Sequence, residues 1–432
     1  MISKEKWAEI IRDWRNKELP RTILREIRVN ITGNIQRAIS IIGPRRVGKT
    51  YELFILIKEL SEKFGKDKTL YVNFERADLG VVDYNDLVLM LETYYEIYPE
   101  NKNKRIWLFL DEIQNVKLWE KFVRTCLDNE IKVVISGSSS KLLSKEIATN
   151  MGGRSLSYNL FPFSFKEYLK AKNFESGNYL SSEEKSRIIN FFEDYMNFGG
   201  YPEAVIYPEE REKIISDIFE TAILKDVIER HKIRNISAMR TLIKALLSSK
   251  EFSVNKFYNY LKSQGIKIGK NAVYNYLEYL EDAFFVFSLR KFSLSYKKAE
   301  QSLPKIYFVD NGLLTINKID DKGKLLENLV FVELLRRNLD IAYYQNTAKE
   351  EVDFLIKEGK KVKQLIQVCF DIENFNTHGR EVKAIVKASE EFKCNNLLIL
   401  TNSLEKQEVS KGKKIIIKPV WKWLLEKDSK KK

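Results

Sequence analysis

The segment Gly43–Thr50, GPRRVGKT, combines residue types and spacing that point directly to phosphate chemistry. It satisfies the pattern GxxxxGK[ST], in which glycines let the backbone wrap around phosphates and successive N–H groups supply a positive field. An apolar run, AISII, precedes it and a helical pattern follows, which is the strand–loop–helix context that the motif requires. We therefore predict that the phosphates of ATP bind to Gly43, Pro44, Arg45, Arg46, Val47, Gly48, Lys49, Thr50 and Tyr51.

Two carboxylates at the end of an apolar stretch complete the expected site. RIWLFLDE ends in Asp111 and Glu112, so both side chains emerge at the carboxyl end of a strand, where open α/β sheets bind ligands. We expect Lys49 to reach the β- and γ-phosphates and Thr50 to bind Mg²⁺ together with Asp111. Glu112 fits a base that orients the attacking water. The expected cofactors are ATP and Mg²⁺.

Further catalytic candidates follow the next predicted strand, KVVISGSSS. Ser136 or Ser138 could hydrogen-bond the γ-phosphate or the attacking water, and we take Ser138 as the candidate. The alternative is a cap, since Ser139 and Ser140 precede an apolar helix. Arg154 is a candidate arginine finger, acting in cis or from a neighbouring subunit, and a surface salt bridge is the alternative.

Alternating apolar runs and helical patterns must position these residues. Before about residue 165 the runs AISII, LYVNFE, RIWLFLDE and KVVISGS alternate with helical segments, which predicts an α/β fold with a parallel sheet. After it the pattern becomes helical and is interrupted by NFGGYPE, and the chain turns α/β again from Lys305. We predict a P-loop core with N-terminal helices (1–165), a helical lid or linker (166–235), a winged helix (236–304) and a C-terminal α/β domain (305–432).

The predicted winged helix carries a polar cluster at and just before its third helix. In a DNA-binding winged helix this element lies in the major groove, where lysines contact phosphate and asparagine reads adenine. Glu278, Glu281 and Asp282 on the same helix would oppose such binding, and a protein-docking role stays open. The candidate DNA contacts are Lys267, Lys270, Asn271, Tyr274 and Asn275.

The composition limits the classes of protein. The formal net charge is +14, which favours acidic partners such as nucleic acid. Three widely separated cysteines and two histidines argue against a zinc site or a disulfide framework. The polar N-terminus is unlike a signal peptide, and apolar runs such as Leu53–Ile57 are too short to span a bilayer. We expect a cytoplasmic protein without a membrane partner.

The order of these motifs resembles a known family. GPRRVGKT, FLDEIQNV, ISGSSSKLLS, GRSLSYNLFPFSFKEYL and NFGGYPEAV are similar to the AAA-type archaeal and bacterial ATPases of the STAND-like branch. KIYFVDNGLL, KGKLLENLVFVELLRR and EVDFLI resemble the C-terminal domain that usually accompanies this ATPase. The resemblance covers nearly the whole chain from about residue 20. It implies a C-terminal domain like the PD-(D/E)xK, or restriction-endonuclease-like, nucleases.

Carried over by position, Glu327 would be the helix carboxylate of such a nuclease and Asp353 its metal-binding aspartate. Gln367 and Cys369 would hold the (D/E)xK positions, and there the sequence departs from a working nuclease. That chemistry needs clustered carboxylates and a lysine. Lys361 and Lys363 lie an even number of residues before Cys369, so their side chains would be on the same face of the strand and could supply the missing lysine. We expect a degenerate domain kept for binding. Tyr51 also departs from the family, since Thr or Ser is common there.

These features together predict an ATP-hydrolysing switch coupled to DNA. One alternative is a DNA nuclease gated by ATP, which needs a carboxylate-and-lysine site. Another is a signalling or interaction scaffold that holds ATP without turnover, against which Glu112 argues. A protein partner and oligomerisation stay open.

Overall fold

The computed structural model describes residues 2–138, 151–175, 177, 180–293 and 295–426. Ser139 and Ser140 lie outside the described residues. The chain forms two compact units. The N-terminal unit is Met1–Phe161 with Asp282–Phe284, and the C-terminal unit is Pro162–Glu281 with Phe285–Lys432.

The N-terminal unit is built on a parallel five-stranded sheet in the order β2-β4-β6-β1-β7. The central strands are buried along their whole length, as their unbroken apolar sequences predict. A short parallel pair, β3–β5, lies outside this sheet. The strands are β1 (Ala38–Ile42), β2 (Thr69–Asn73), β3 (Val82–Asp83), β4 (Trp107–Asp111), β5 (Val116–Lys117), β6 (Lys132–Gly137) and β7 (Ser155–Asn159).

Four described helices accompany this sheet: α1 (Lys4–Asn16), α2 (Lys49–Phe64), α3 (Tyr84–Ile97) and α4 (Trp119–Asp128). Helix α2 begins immediately after Gly48 and ends at Gly65, and both glycines have positive φ angles. Its apolar side chains at helical spacing are buried, so it packs on one face. The alternation of strand and helix predicted for this region is confirmed, and the core is an α/β fold with a parallel sheet.

The sequence predicts helices before the first strand. Among the described residues 2–30, Lys4–Asn16 is the helical segment, and Ser3 caps it by accepting a hydrogen bond from the backbone N–H of Lys6. One face of the helix is buried through Trp7, Ile10, Ile11 and Trp14. Trp14 donates its indole N–H to the carbonyl of Thr69 at 2.9 Å, which ties the helix to the start of β2.

The C-terminal unit begins with helices around the predicted break at NFGGYPE. They are α5 (Phe165–Ala171), α6 (Ser182–Phe198), α7 (Pro202–Ile206), α8 (Arg211–Thr221) and a π-helical segment (Ala222–Glu229). Helix α6 ends at Gly199, whose φ is 73°. The buried carboxylate of Asp310 accepts the N–H of Gly200 at 2.7 Å and the N–H of Gly312 at 2.8 Å. This carboxylate therefore fixes the turn that separates α6 from α7.

Three helices follow, α9 (Ile236–Ser248), α10 (Val254–Ser263) and α11 (Lys270–Asp282), and then strand β8 (Val286–Leu289). Strand β8 pairs antiparallel with β9 (Lys305–Phe308), a segment that the sequence placed in the C-terminal domain. This strand pair therefore crosses the expected boundary at residue 304. The winged helix itself stays a prediction.

The rest of this unit contains a mixed six-stranded sheet in the order β10-β11-β12-β13-β15-β14. Strands β12, β13 and β15 run parallel to one another, and the other pairs are antiparallel. The strands are β10 (Ile341–Gln345), β11 (Glu351–Glu358), β12 (Lys361–Cys369), β13 (Leu397–Thr401), β14 (Lys406–Ser410) and β15 (Lys413–Pro419). The helices are α12 (Tyr296–Gln301), α13 (Asn311–Thr315), α14 (Lys322–Arg336), α15 (Phe375–Phe392) and α16 (Val420–Leu425).

Candidate functional site

The loop Gly43–Thr50 leaves the carboxyl end of β1 and enters α2, as its sequence predicts. Its backbone turns through positive φ angles at Arg46 (66°) and Gly48 (91°). A Cβ on Gly43 would lie 2.1 Å from the carbonyl oxygen of Leu160, so glycine is required there by the close passage of another backbone segment. The loop is therefore held in a curled shape by its surroundings.

Lys49 lies buried at the start of α2 and folds back over the loop. Its ammonium group donates to the carbonyls of Gly43 at 3.3 Å and Pro44 at 3.1 Å. The same Nζ lies 3.4 Å from Oε1 of Glu112. The side chain thus bridges the glycine-rich loop and the carboxylates at the end of β4.

Asp111 is fully buried at the end of β4 and is surrounded by hydroxyl groups. Its Oδ2 accepts from the hydroxyl of Thr50 at 2.7 Å and from that of Tyr71 at 2.8 Å. Its Oδ1 accepts from Ser136. Burial raises the pKa of Asp111, and the hydrogen bonds from Ser136 and Thr50 only partly oppose this effect.

Glu112 adopts a left-handed backbone conformation, with φ at 51°, directly after the strand. This turn brings its carboxylate to Lys49, and Gln114 donates a further hydrogen bond to it. Burial alone would raise the pKa of Glu112, but the charge of Lys49 and the hydrogen bond from Gln114 outweigh it and lower the pKa. The side chain is therefore ionised at neutral pH.

The two serine candidates have different surroundings. Ser136 donates to Asp111 and accepts the backbone N–H of Glu112 at 3.0 Å, so it positions both carboxylates and does not offer a free hydroxyl. Ser138 is buried one residue beyond β6. Its hydrogen bond to the γ-phosphate or the attacking water stays a prediction. The positioning role of Ser136 was missed, although its place at the end of the neighbouring strand gave the signal.

Arginines and an aromatic residue surround the loop. Arg45 forms an ion pair with Glu75 at 2.7 Å. Arg25, which belongs to none of the sequence motifs, donates to the carbonyls of Val47 at 2.9 Å and Phe161 at 2.6 Å. Tyr51 is half exposed on the first turn of α2 and contacts Phe54 edge to face. Arg25 thus ties the N-terminal segment to the loop.

Arg154 lies at the other edge of the sheet. Its carbonyl accepts the N–H of Ala38, so it is level with the start of β1, and its guanidinium pairs with Asp128 at 2.5 Å. The five residues of β1 separate that level from the loop by about 16 Å. Arg154 therefore lies level with the start of β1, away from the loop of the same chain, and its role as an arginine finger, in cis or in trans, stays a prediction.

The oxygen groups near the loop fit a hard divalent cation. Mg²⁺ prefers oxygen ligands in small numbers alongside water and phosphate. The Thr50 hydroxyl and the buried Asp111 carboxylate are in direct contact, and the partners of Asp111 among the described residues are hydroxyl groups only. The donor set therefore suits Mg²⁺ bound with a nucleotide.

The polar cluster of the predicted winged helix is exposed. The outward side of α11 carries four of the candidate contacts and Lys267 lies just before the helix, whereas Val273, Tyr276 and Leu280 are buried on the inner side. Glu278 is exposed at the same helical spacing as the candidates, whereas Asp282 is buried. The exposed candidates are Lys267, Lys270, Asn271, Tyr274 and Asn275.

Two of the nuclease-like residues, Glu327 and Asp353, contact a lysine that is not among the predicted site residues. The fully buried Lys305, at the start of β9, lies 3.0 Å from Glu327, 2.7 Å from Glu351 and 2.9 Å from Asp353. Burial alone would lower the pKa of Lys305, but Tyr307 and these carboxylates raise it well above its usual range. A charged ammonium therefore lies between the carboxylates.

The residues at the (D/E)xK positions, Gln367 and Cys369, form no hydrogen bond with Lys305 in the described part of the chain. The amide of Gln367 donates to Glu381 at 2.5 Å and its oxygen accepts the N–H of Asp353 at 3.4 Å. Burial raises the pKa of the Cys369 thiol to about 12. Lys363 pairs with Glu358 at 2.7 Å, so it does not supply the lysine that its strand parity allowed. Within the described ranges, no group of three or more His, Cys, Asp or Glu side chains is arranged to hold a metal ion.

One expectation concerned membranes. In the parts of the chain that the structure describes, no helix is both long and apolar enough to cross a bilayer.

Three parts of the chain match known families. Residues 35–169 match the family described as an AAA domain. Residues 189–322 match a domain of unknown function, DUF8612, and residues 322–423 match another, DUF4143. The AAA match includes the whole of Gly43–Thr50 together with Asp111 and Glu112.

Relatives extend over almost the whole chain. The uncharacterized protein MJ1544 of Methanocaldococcus jannaschii is 39% identical over 98% of this chain and 96% of its own length. An uncharacterized protein of Haemophilus influenzae is 31% identical over 89% of this chain and 93% of its own length. Among solved structures, the Walker-type ATPase PABY2304 of Pyrococcus abyssi is similar with a TM-score of 0.45 and 14% identity, over 74% of this chain and 96% of that one.

Proposed function

The chain carries an AAA domain and belongs to the same family as the uncharacterized protein MJ1544, and on this premise we propose that it is a P-loop ATPase that binds ATP with Mg²⁺ and hydrolyses it. One observation carries the proposal. Lys49, Thr50, Asp111 and Glu112 are joined by contacts of 2.7 Å between Thr50 and Asp111 and 3.4 Å between Lys49 and Glu112. Two residues at the end of the loop thus contact the last residue of β4 and the residue that follows it.

The loop binds the phosphates first. Backbone N–H groups at the start of α2 face the anion, and the positive end of the helix dipole adds to their attraction. The ammonium of Lys49, which donates to the carbonyls of Gly43 and Pro44, transfers its hydrogen bonds to the β- and γ-phosphates. Thr50 and Asp111 would hold Mg²⁺, and the ion would supply positive charge to the phosphate oxygens.

Glu112 then orients water and accepts its proton. The lowered pKa keeps this carboxylate ionised, which a base requires at neutral pH. The hydrogen bond from its backbone N–H to Ser136 fixes the turn that presents it. When Lys49 moves to phosphate, the Glu112 carboxylate is released from its ion pair and can act on water.

We further propose that hydrolysis drives a switch coupled to DNA. The net charge of +14 favours an acidic partner, and α11 carries an exposed face with Lys270, Asn271 and Tyr274. Phosphate contacts by lysines would give binding a steep dependence on salt, with a slope of about −0.9 per contact.

The C-terminal domain is proposed to bind without cutting. A nuclease of the expected type needs a cation between its carboxylates, and the ammonium of Lys305 lies at that place between Glu327 and Asp353. Degradation of plasmid DNA in Mg²⁺ or Mn²⁺, lost in Asp353→Ala, would contradict this part of the proposal.

Phosphate release in Mg²⁺ and ATP, with and without duplex DNA, tests the switch, and Lys49→Ala supplies the blank. Turnover that rises with DNA supports coupling, and turnover indifferent to DNA contradicts it while leaving the ATPase. DNA affinity is measured in parallel for Lys267→Glu combined with Lys270→Glu. The matched control is Lys244→Glu, on the exposed side of α9. A loss of affinity equal in both variants would contradict the assignment to α11.

A further inference from the structure

A groove of about 980 Å³ lies between α3 and α4, at the edge of the sheet where the strands begin. This edge is opposite to the carboxyl ends that carry Gly43–Thr50 and Asp111. Ile131 and Lys132, at the start of β6, close one end of the groove. Its size is at the upper end of the range for small-ligand sites, so it can accept several side chains of a partner.

The floor of the groove is apolar and aromatic. Tyr84, Val88, Leu91 and Tyr95 recur along α3 at helical spacing, and each is only half buried. Helix α4 contributes the buried ring of Phe122 from the other side. Aromatic and aliphatic side chains in this number form an unusually apolar stripe for an exposed helix face, and such stripes mark binding surfaces.

The rim of the groove is basic. Lys102 and Lys104 are exposed on the turn between α3 and β4. Arg105 donates to Asn34 at 3.2 Å and Lys132 donates to the carbonyl of Ile35 at 2.8 Å, so these two cations hold the wall of the groove. The carboxylates lining the groove are Glu92 and Glu130, so four cations exceed two anions. The groove therefore suits an occupant with apolar anchors and negative charge.

The C-terminal unit carries a projection with this chemistry. In the segment 206–210, IYPEE, every residue is exposed, including Ile206 (49%) and Tyr207 (60%). Glu209 and Glu210 follow directly. We call this segment the acidic knob. The acidic knob complements the groove in polarity and charge. Its two large apolar side chains match the apolar floor, and its two carboxylates match the lysines of the rim.

Hydrogen bonds to its backbone and to the adjoining Val205 hold the acidic knob in place. The N–H of Tyr207 donates to the carbonyl of Glu203 at 2.9 Å, and the N–H of Glu210 donates to that of Tyr207 at 3.2 Å. Lys172 donates to the carbonyl of Val205 at 2.7 Å. A projection ordered before binding loses less conformational entropy on docking than a flexible one.

We propose that the acidic knob of one copy of the chain docks in the α3–α4 groove of a second copy. The contact joins two different surfaces, so it is head-to-tail and repeats from copy to copy. Tyr207 and Ile206 cover the apolar stripe, and Glu209 and Glu210 approach Lys102 and Lys104. The patch is small, so the association is weak, salt-sensitive and dependent on concentration.

Charge reversal on each side tests this docking. One variant carries Lys102→Glu and Lys104→Glu, and the other carries Glu209→Lys and Glu210→Lys. All four positions are exposed, and circular dichroism checks that each variant is folded. Sedimentation velocity is measured for the full chain across a range of concentrations. We expect wild type to associate with rising concentration and each variant alone to remain monomeric.

The equimolar mixture of the two variants is the decisive sample. In it the reversed knob meets the reversed groove, and the unchanged knob meets the unchanged groove, so association returns. A wild type that stays monomeric at every concentration overturns the proposal, as does a mixture that fails to associate. If wild type is monomeric and the rim variant loses affinity for DNA, the groove binds nucleic acid instead.

Discussion

The hydroxyl of Thr50 donates a hydrogen bond to Asp111 at 2.7 Å, which joins the first turn of α2 to the end of β4. The contact aligns the two oxygen groups assigned to Mg²⁺ before any ligand arrives. Thr50→Val keeps the shape of the side chain and removes this oxygen. Asp111 keeps its hydrogen bonds from Tyr71 and Ser136, so the fold should survive.

We expect Thr50→Val to weaken nucleotide binding in Mg²⁺ by about tenfold to a hundredfold, since a hydrogen bond to a charged group contributes about 1.5–3 kcal/mol. Binding in excess chelator should change much less. Titration with a fluorescent ATP analogue measures both conditions. An equal loss with and without Mg²⁺ would argue against a metal role for Thr50.

Gly199 is a position in the C-terminal unit at which the backbone conformation and the neighbouring Asp310 both require glycine. Its φ is 73°, and an added Cβ would lie 1.7 Å from Oδ1 of Asp310. We expect Gly199→Ala to lower the free energy of unfolding by more than the roughly 1–2 kcal/mol of a left-handed residue alone, because Asp310 must move. Gly359→Ala is the control, since Gly359 has φ of 58° and open space around its Cβ position. Urea unfolding compares the two, and equal losses would exclude the clash.

Asp310 should make stability depend on pH. Burial raises its pKa to about 7 although the N–H groups of Gly200 and Gly312 oppose this. The folded protein thus holds a proton that the unfolded chain releases near pH 4. The resulting stability is fully present below that pH and is lost as pH rises through about 7.

Over pH 5 to 8 we expect Asp310 to account for a fall on the order of 3 kcal/mol in the free energy of unfolding. Asp310→Asn should remove this fall, whereas Asp320→Asn, at an exposed position, should keep it. Urea unfolding at several pH values gives the slopes. A slope unchanged in Asp310→Asn would contradict the assignment.

Lys305 should be essential to the stability of the C-terminal unit. Replacing it by Met leaves the buried Asp353 and the half-buried Glu327 and Glu351 without the buried cation that they share, and removing one partner of a buried pair costs about 3–5 kcal/mol. Lys363→Met, which breaks an exposed pair with Glu358, is the matched control and should change stability little. Thermal and urea unfolding of both variants would show whether the two losses differ, and similar losses would contradict the role of Lys305.

The N-terminal core was predictable because its signals are local. The run AISII before GPRRVGKT and the run RIWLFLDE each form a buried strand, and parallel strands end at a common edge, so the loop and Asp111 are brought close together. Strand β7 could not be predicted in this way, because it has no apolar run. Its sequence SLSYN alternates serines with half-exposed residues at the edge of the sheet, so it lacks the apolar run that marks a buried strand.

The positions of other residues depend on contacts that are distant in sequence. Arg154 directly precedes β7, which runs parallel to β1, so the arginine lies at the edge of the sheet opposite to the loop. Lys305 precedes Asp353 by 48 positions and reaches the carboxylates from β9. The local sequence feature that could have identified Lys305 is a charged residue at the start of the apolar strand KIYF.

Phosphate release by Glu112→Gln, measured beside its affinity for ATP, tests the proposed hydrolysis most directly. The exchange keeps the size of the side chain and removes the base, and Glu100→Gln at an exposed position is the control. We predict that Glu112→Gln binds ATP at least as well as wild type and loses turnover by about 10²–10⁴-fold. Wild-type turnover that is retained in Glu112→Gln, or is absent from wild type and variant alike, would contradict the account.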